Sequence, residues 1–325
     1  MRVGSNPIKK VNTLSPKYRH RVFIPVCIPV LDGYFKDGLS ILKLCLESLI
    51  ITSHHQTAIT VIDNNSCVEV SGYLRELLDK GKIQQLVLNN YNAGKMDGVL
   101  NLMRGSYEDL LTISDADVLF TDQWQILTEK SFGEYPELGM VCPTPVLDQN
   151  FYFTSSNFWQ GLFSNKMKPE QTPDLKGLEM FAHSIGKRGN DLKDTMDRNA
   201  LKLIYQKKGK SKLINGGGHF VATIRREIVE SIPRRYSSKA IAGNSVLEFF
   251  DEPIDKSGFM RCSLYHSHAF HMGNVLEPWM YEKFHKLISN NTPYVQPIKA
   301  VSLWIPYIFR RKSLRLFKFI NKAFN

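Results

Sequence analysis

The chain has 325 residues, 43% hydrophobic and 22% charged, which fits a globular protein with one large domain or two closely fused ones. Its formal charge of +11 predicts an anionic partner, whether nucleotide, phospholipid surface or nucleic acid. Five cysteines (Cys27, Cys45, Cys67, Cys142 and Cys262) without a C-x-x-C pair suit a reducing cytoplasm, and neither an apolar leader nor the roughly 18 uncharged apolar residues of a membrane span is found, so export and a bilayer anchor are not expected.

After an N-terminal extension over residues 1–20, apolar runs alternate with helical patterns as far as about residue 146. "RVFIPVCIPV" reads as a buried strand. "DGLSILKLCLESLIIT" reads as a helix with Leu42, Cys45, Leu46, Leu49 and Ile50 on one face. "AITVID", "IQQLVLNN" and "DLLTISDAD" predict further strands, separated by helices over "VSGYLRELLDKG" and "KMDGVLNLMRG", and "LGMVCPTPV" predicts one more strand. This order implies an α/β fold with a Rossmann-like, mostly parallel central sheet flanked by helices, and ligands at the carboxyl ends of the strands.

Residues 147–213 are polar and Lys-rich. "NKMKPEQTPDLKG" reads as a loop and "LKDTMDRNALKLIYQ" as a helix, so the segment is expected to be a helical insertion or mobile lid. From 214 to 297 strand and helix return in "INGGGHFVATIRREIVESI", followed by helix then strand in "LEFFDEPIDKSGFMRCSLYHSHAFHMGN". Residues 298–325 form a basic amphipathic tail, predicted to be helical.

Chemistry gathers at strand ends. Asp63 closes one apolar run, and Asp115 and Asp117 close another. Buried carboxylates need partners, and an x, x+2 pair leaving a strand suits a hard cation that keeps positions open for phosphate oxygens. A solvated turn is the alternative reading of that pair.

"VFIPVCIPVLD", "VIDNNSC", "NNYNAGKMDGVLN" and "ISDADVLF", in this order, resemble the family-2 glycosyltransferases, whose nucleotide-sugar-binding fold is called GT-A. The resemblance covers residues 21–146 and, more loosely, 213–274. It implies a metal-dependent, inverting transfer of a sugar, UDP-linked in preference to GDP-linked, to a saccharide or lipid-linked saccharide in surface polysaccharide synthesis. It implies donor-nucleotide contacts at Pro29, Val30, Asp32, Asp63, Asn92, Gly94, Lys95, Asp115 and Ala116, and Mn²⁺ or Mg²⁺ on Asp117 and Asp115. A further metal ligand is expected at His271 first and His268 second. The general base is expected at Glu252 or Asp251, with Asp255 an outside candidate, and Gly217, Gly218 and His219 are expected near the acceptor and donor sugar.

In the tail, Lys299, Arg310, Arg311, Lys312, Arg315, Lys318 and Lys322 interleave with Trp304, Tyr307, Phe309, Leu316, Phe317, Phe319 and Ile320, with no acid. That pattern suits an anionic membrane surface and a peripheral position on the inner face of the cytoplasmic membrane. The alternative is a helix packed on the domain; nucleic acid is not expected as a partner. Two rival functions stand beside the transferase. A sugar-nucleotide nucleotidyltransferase would want a Lys/Arg-bearing glycine loop that "PVLDGYFKDG" lacks, and a non-catalytic scaffold would not need the three carboxylates Asp115, Asp117 and Glu252.

Overall fold

The computed structural model describes Gly4 and residues 16–162, 164–237 and 245–320. Most of the N-terminal extension and the last five residues, Lys322 among them, lie outside the described residues.

In chain order the elements are β1 (His20–Val26), α1 (Gly38–Thr52), β2 (Thr57–Asn64), α2 (Val68–Asp79), β3 (Gln85–Asn89), α3 (Lys95–Arg104), β4 (Leu110–Ser114), β5 (Val118–Phe120), α4 (Trp124–Glu134), β6 (Leu138–Cys142), α5 (Ser155–Leu162) and β7 (Met167–Gln171). They continue as α6 (Leu175–Ser184), α7 (Gly189–Arg198), β8 (Leu201–Tyr205), β9 (Leu213–Asn215), β10 (Val221–Arg225), α8 (Glu252–Lys256), β11 (Met260–Leu264), β12 (Ala269–His271), α9 (Pro278–Phe284) and α10 (Tyr307–Ile320).

Among the described residues, ten strands form one sheet in the order β3-β2-β1-β4-β10-β6-β11-β9-β8-β7, and β5 pairs β12 in a separate ribbon. Strands β1 to β4, β6, β8 and β11 run one way and β7, β9 and β10 the other. The first four strands are mutually parallel, as their crossover helices require.

Period-2 alternation in β1 divides the core. Val22, Ile24 and Val26 pack with Leu42, Cys45, Leu46 and Leu49 of α1 and with Val70 and Leu74 of α2. Phe23 points the other way, to Met96, Val99, Leu100 and Met103 of α3. Truncating one such fully buried leucine to alanine costs about 2–5 kcal/mol.

The segment expected to be a helical insertion contributes strands as well. β7 and β8 pair antiparallel, with Met167 opposite Tyr205 and Gln171 opposite Leu201, and they extend the sheet to its far edge. The predicted loop "NKMKPEQTPDLKG" therefore holds a strand. The predicted helix over "LKDTMDRNALKLIYQ" stops at Arg198, where Asn199 caps it by donating its backbone N–H to Thr195 O, and strand β8 takes over.

Residues 290–306 return along the underside of the domain. Ile298 N donates to Phe132 O, Val301 N to Pro136 O and Leu303 N to Gly258 O. Gly258 has φ +83°, and a Cβ there would stand 2.5 Å from Leu303 O, so the strap can lie this close only over glycine. Helix α10 then packs on α5. Arg310, 1% exposed, donates to the backbone oxygens of Asp255 and Lys256 and lies 3.5 Å from the Asp255 carboxylate.

Candidate active site

Strand β4 delivers the two aspartates. Its last residue, Ser114, is buried, and the Asp115 backbone N–H donates to Phe220 O at 2.7 Å, which turns the chain out of the sheet into β5. β5 pairs antiparallel with β12 so that His271 lies opposite Val118, and Met272 N donates to Asp117 O at 2.8 Å. This register carries His271 to the aspartates from more than 150 residues away in sequence.

Carboxylate oxygens of Asp115 and Asp117 and one ring nitrogen of His271 lie within 4.8 Å of one another. His271 Nε2 is 3.4 Å from Asp117 Oδ2, while its Nδ1 is held 2.9 Å from Ser184 Oγ. Phe181 and Phe220 meet the ring edge-on and fix its plane. Asp117 Oδ1 is buried and has no hydrogen-bond partner among the described residues. Burial drives the Asp117 carboxyl up to about 6; His271 acts against that shift, Asp115 adds to it and Lys95 opposes it.

Two carboxylates and one imidazole suit Mn²⁺ or Mg²⁺, and an orphaned buried carboxylate oxygen is what such an ion would satisfy. Of the two histidines expected as ligands, the fold brings only His271 to this group. His268 Nδ1 instead donates to Asp122 O at 3.0 Å, and its own carbonyl accepts from Thr121.

Two cavities reach the carboxylates, one at Asp115 and the other at Asp117. The smaller, about 320 Å³, is lined by Pro25, Val26, Cys27, Asn64, Asn92, Gly94, Lys95 and Asp115, with Ser245 and Val246 opposite. Lys95 Nζ pairs with the Asp115 carboxylate and donates to His219 O at 2.8 Å. Asn92 Oδ1 accepts from Gly94 N, whose φ of +75° starts α3. The larger cavity, about 940 Å³, opens on Asp117 and His271.

The molecule is like solved structures, although no protein-family model matches the chain and no curated protein matches its sequence. GalNAc-T7 bound to UDP, GalNAc and Mn²⁺ superposes over 79% of this chain at 12% identity and a TM-score of 0.50; the chain spans 44% of that protein's length. The mannosyltransferase PcManGT from Pyrobaculum calidifontis, in complex with GDP-Man and Mn²⁺, gives 12% identity and a TM-score of 0.42 over 94% of this chain and 76% of its own. S. aureus TarS 1–349 gives 9% and 0.43 over 78% and 60%. The fold is GT-A-like.

Within that fold the other expected site residues fall into distinct places. Asp63 is buried at the end of β2, where its carboxylate accepts from Ser66 N at 2.8 Å and Ser71 Oγ at 2.5 Å. Ser66 Oγ in turn accepts from Ile28 N, so Asp63 stiffens the floor beneath the exposed rim formed by Pro29, Val30 and Asp32. Ala116 lies between the two aspartates and packs partly against the α1 core.

The glycine triplet makes room for close protein packing. A Cβ on Gly216, where φ is +85°, would collide with Gln149 O, and one on Gly218 would stand 2.7 Å from Val146 Cγ1. What approaches closely is the chain over residues 146–149.

Asp251 is fully buried, 2.5 Å from Arg261 Nη2 and 3.2 Å from His219 Nδ1. Glu252 is partly exposed and pairs with Lys256 at 3.1 Å. Asp255 caps α5: its oxygens accept from Ser155 N, Ser156 N and both serine hydroxyls, which leaves it no role at the aspartates.

The sequence reading missed the wall of the larger cavity. Tyr34, Lys176, His183, Arg188 and Trp279 come from three separated segments, two of them in α6 and one directly before α7. Only the cations of "LKGLEMFAHSIGKR", opposite an apolar stripe, could have marked it.

Proposed function

We propose that this protein is a divalent-metal-dependent glycosyltransferase that moves a sugar, with inversion, from a nucleoside diphosphate to a saccharide hydroxyl. The reading is carried by the Asp115, Asp117 and His271 group, with its unpartnered buried oxygen and a cavity at each aspartate. The smaller cavity, beside Lys95 and the ends of β1 and β2, is the place for base and ribose. The larger has room for the diphosphate and sugar, and Lys176 and Arg188 give it the positive charge an anionic leaving group needs. When bound, Mn²⁺ or Mg²⁺ supplies positive charge against the departing diphosphate.

For the transfer to balance, the anomeric carbon–oxygen bond to the diphosphate breaks, a bond to the acceptor oxygen forms, and the acceptor proton needs a home. His219 is suited to receive that proton, because the Asp251 carboxylate, ion-paired with Arg261, lies 3.2 Å from its Nδ1, and its Nε2 has no protein partner among the described residues. Asp251 then acts through His219, as the carboxylate behind a histidine base does.

The place of action proposed is an anionic membrane surface. No helix among the described residues is long and apolar enough to cross a bilayer. One face of α10 is docked by Arg310 and Leu314, yet Ile308, Phe309 and Leu316 stand exposed on the other with Lys312 and Arg315, and Trp304 just before the helix is 88% exposed.

The test is release of nucleoside diphosphate from a panel of UDP-sugars and GDP-mannose with Mn²⁺, repeated with Asp117→Ala. Turnover of one donor that vanishes in a variant with unchanged circular dichroism supports the reading. Turnover that survives the substitution removes it.

A further inference from the structure

A cavity of about 740 Å³ lies outside the two at the aspartates, between α3 and residues 226–236. Four arginines line it: Arg104 at the end of α3, Arg226 directly after β10, and Arg234 and Arg235 on the following loop. Two are pinned by backbone. Arg104 Nη2 donates to Pro233 O at 2.7 Å, and Arg226 Nε donates to Ser106 O at 2.6 Å. These bonds hold the guanidinium planes but leave their charge unneutralised.

The carboxylates nearby do not balance that charge. Arg235 pairs with Glu248, whereas Arg104, Arg226 and Arg234 have no acidic partner among the described residues. Of the two acids in the wall, Asp97 is engaged by the Ser237 backbone N–H at 2.8 Å, and Glu230 stands at the exposed rim. With Arg235 neutralised by Glu248, three arginines face two acids in this concavity, an excess of one positive charge.

Solvated arginines on a convex face would spread apart, and each would wave freely. Here two are pre-oriented and all four line one cavity, which lowers the entropy lost when an anion is gripped. Guanidinium forks match phosphate oxygens in pairs, and such charge-assisted bonds are about twice as strong as neutral ones.

We infer that this cavity is a second anion site that takes a multiply charged phosphate group, either free or carried on a saccharide. The inference does not depend on the reaction proposed at Asp115 and Asp117.

The full chain is titrated calorimetrically with inorganic pyrophosphate in EDTA, so that no divalent ion takes part, and in parallel with glucose 1-phosphate. Saturable binding of either probe is expected, with the dissociation constant raised at least about tenfold by Arg234→Gln and further by Arg226→Gln combined with it. Arg234 is exposed and has no partner among the described residues, so its replacement leaves the fold intact even if Arg226→Gln weakens the contact to Ser106. Tighter binding of glucose 1-phosphate assigns the site to a saccharide-borne phosphate, and tighter binding of pyrophosphate assigns it to the free ion. The inference fails if neither probe binds, if Arg234→Gln leaves both unchanged, or if Lys95→Ala abolishes the binding instead, which would place the anion beside Asp115.

Discussion

His271 stands 3.4 Å from Asp117 because β12 pairs with β5 in the one register that sets His271 opposite Val118. A slip of one residue would turn the imidazole to the opposite face of the ribbon. The three-residue strands thus have a chemical consequence out of proportion to their length. Mn²⁺ is expected to raise the melting temperature of the wild-type protein, by the equivalent of about 2.7 kcal/mol at a hundred times its dissociation constant. Asp117→Asn should remove the shift, and His271→Ala should weaken Mn²⁺ by at least about tenfold. A full Mn²⁺ shift in both variants would show that the ion binds elsewhere.

The contact between Asp251 and His219 leads to a kinetic expectation. His219→Gln should lower kcat by about 10²–10⁴, the usual contribution of a positioned base, while the affinity for the donor nucleotide stays near wild type. Equal losses in kcat and donor binding would mark His219 as a structural support for Lys95, which bonds its carbonyl. Asp251→Asn is the poorer probe, because it would leave Arg261 buried without its counter-charge, at about 3–5 kcal/mol.

Stability should fall steeply in acid, and Glu129 is one reason. Burial alone would raise this carboxyl, but hydrogen bonds from His20 Nδ1 at 2.9 Å and His54 Nε2 at 2.8 Å outweigh it and hold the group below its ordinary range. A carboxylate depressed in the folded state contributes stability that is complete above its unfolded value of about 4.3 and disappears as the pH falls through the folded value. Urea unfolding of Glu129→Gln across that acid range should show a shallower loss than wild type. Parallel curves would mean that other carboxylates set the acid limb.

Much of the first half of the chain was legible in the sequence because each strand from β1 to β4 is a short apolar run and each helix between them has a 3.6-residue stripe. Asp63, Asp115 and Asp117 stood out for the same reason, since acids at the ends of buried strands are conspicuous. β7 was not legible: "MKPEQ" has Pro169 and two charged residues, a composition that only an edge strand tolerates. β8 was hidden because "LKLIY" continues the apolar spacing of α7, and the boundary depends on the Asn199 cap. The choice between His268 and His271 depended on strand pairing, and the role of Gly216 and Gly218 on which chain packs over them. Neither is written in local spacing.

The tail combines two surfaces on one helix, and they are separable by mutation. Inward, Arg310 is buried against α5 and the backbone of Asp255, so Arg310→Met leaves the buried Asp255 carboxylate without its cation and should cost about 3–5 kcal/mol in urea unfolding. Outward, Trp304, Phe309 and Leu316 touch solvent, so replacing all three with serine should change stability by no more than about 0.5 kcal/mol per site. Sedimentation with vesicles then decides what the outward face is for. Wild type should bind vesicles rich in phosphatidylglycerol and leave phosphatidylcholine vesicles in the supernatant, because Lys312 and Arg315 flank the apolar residues and each cation near an anionic surface adds about 1 kcal/mol. The triple serine variant should stay in the supernatant with both. If it still sediments with anionic vesicles, or if the wild-type protein binds neither and instead loses a dimer when the face is changed, the outward surface serves self-association or another contact in place of a membrane.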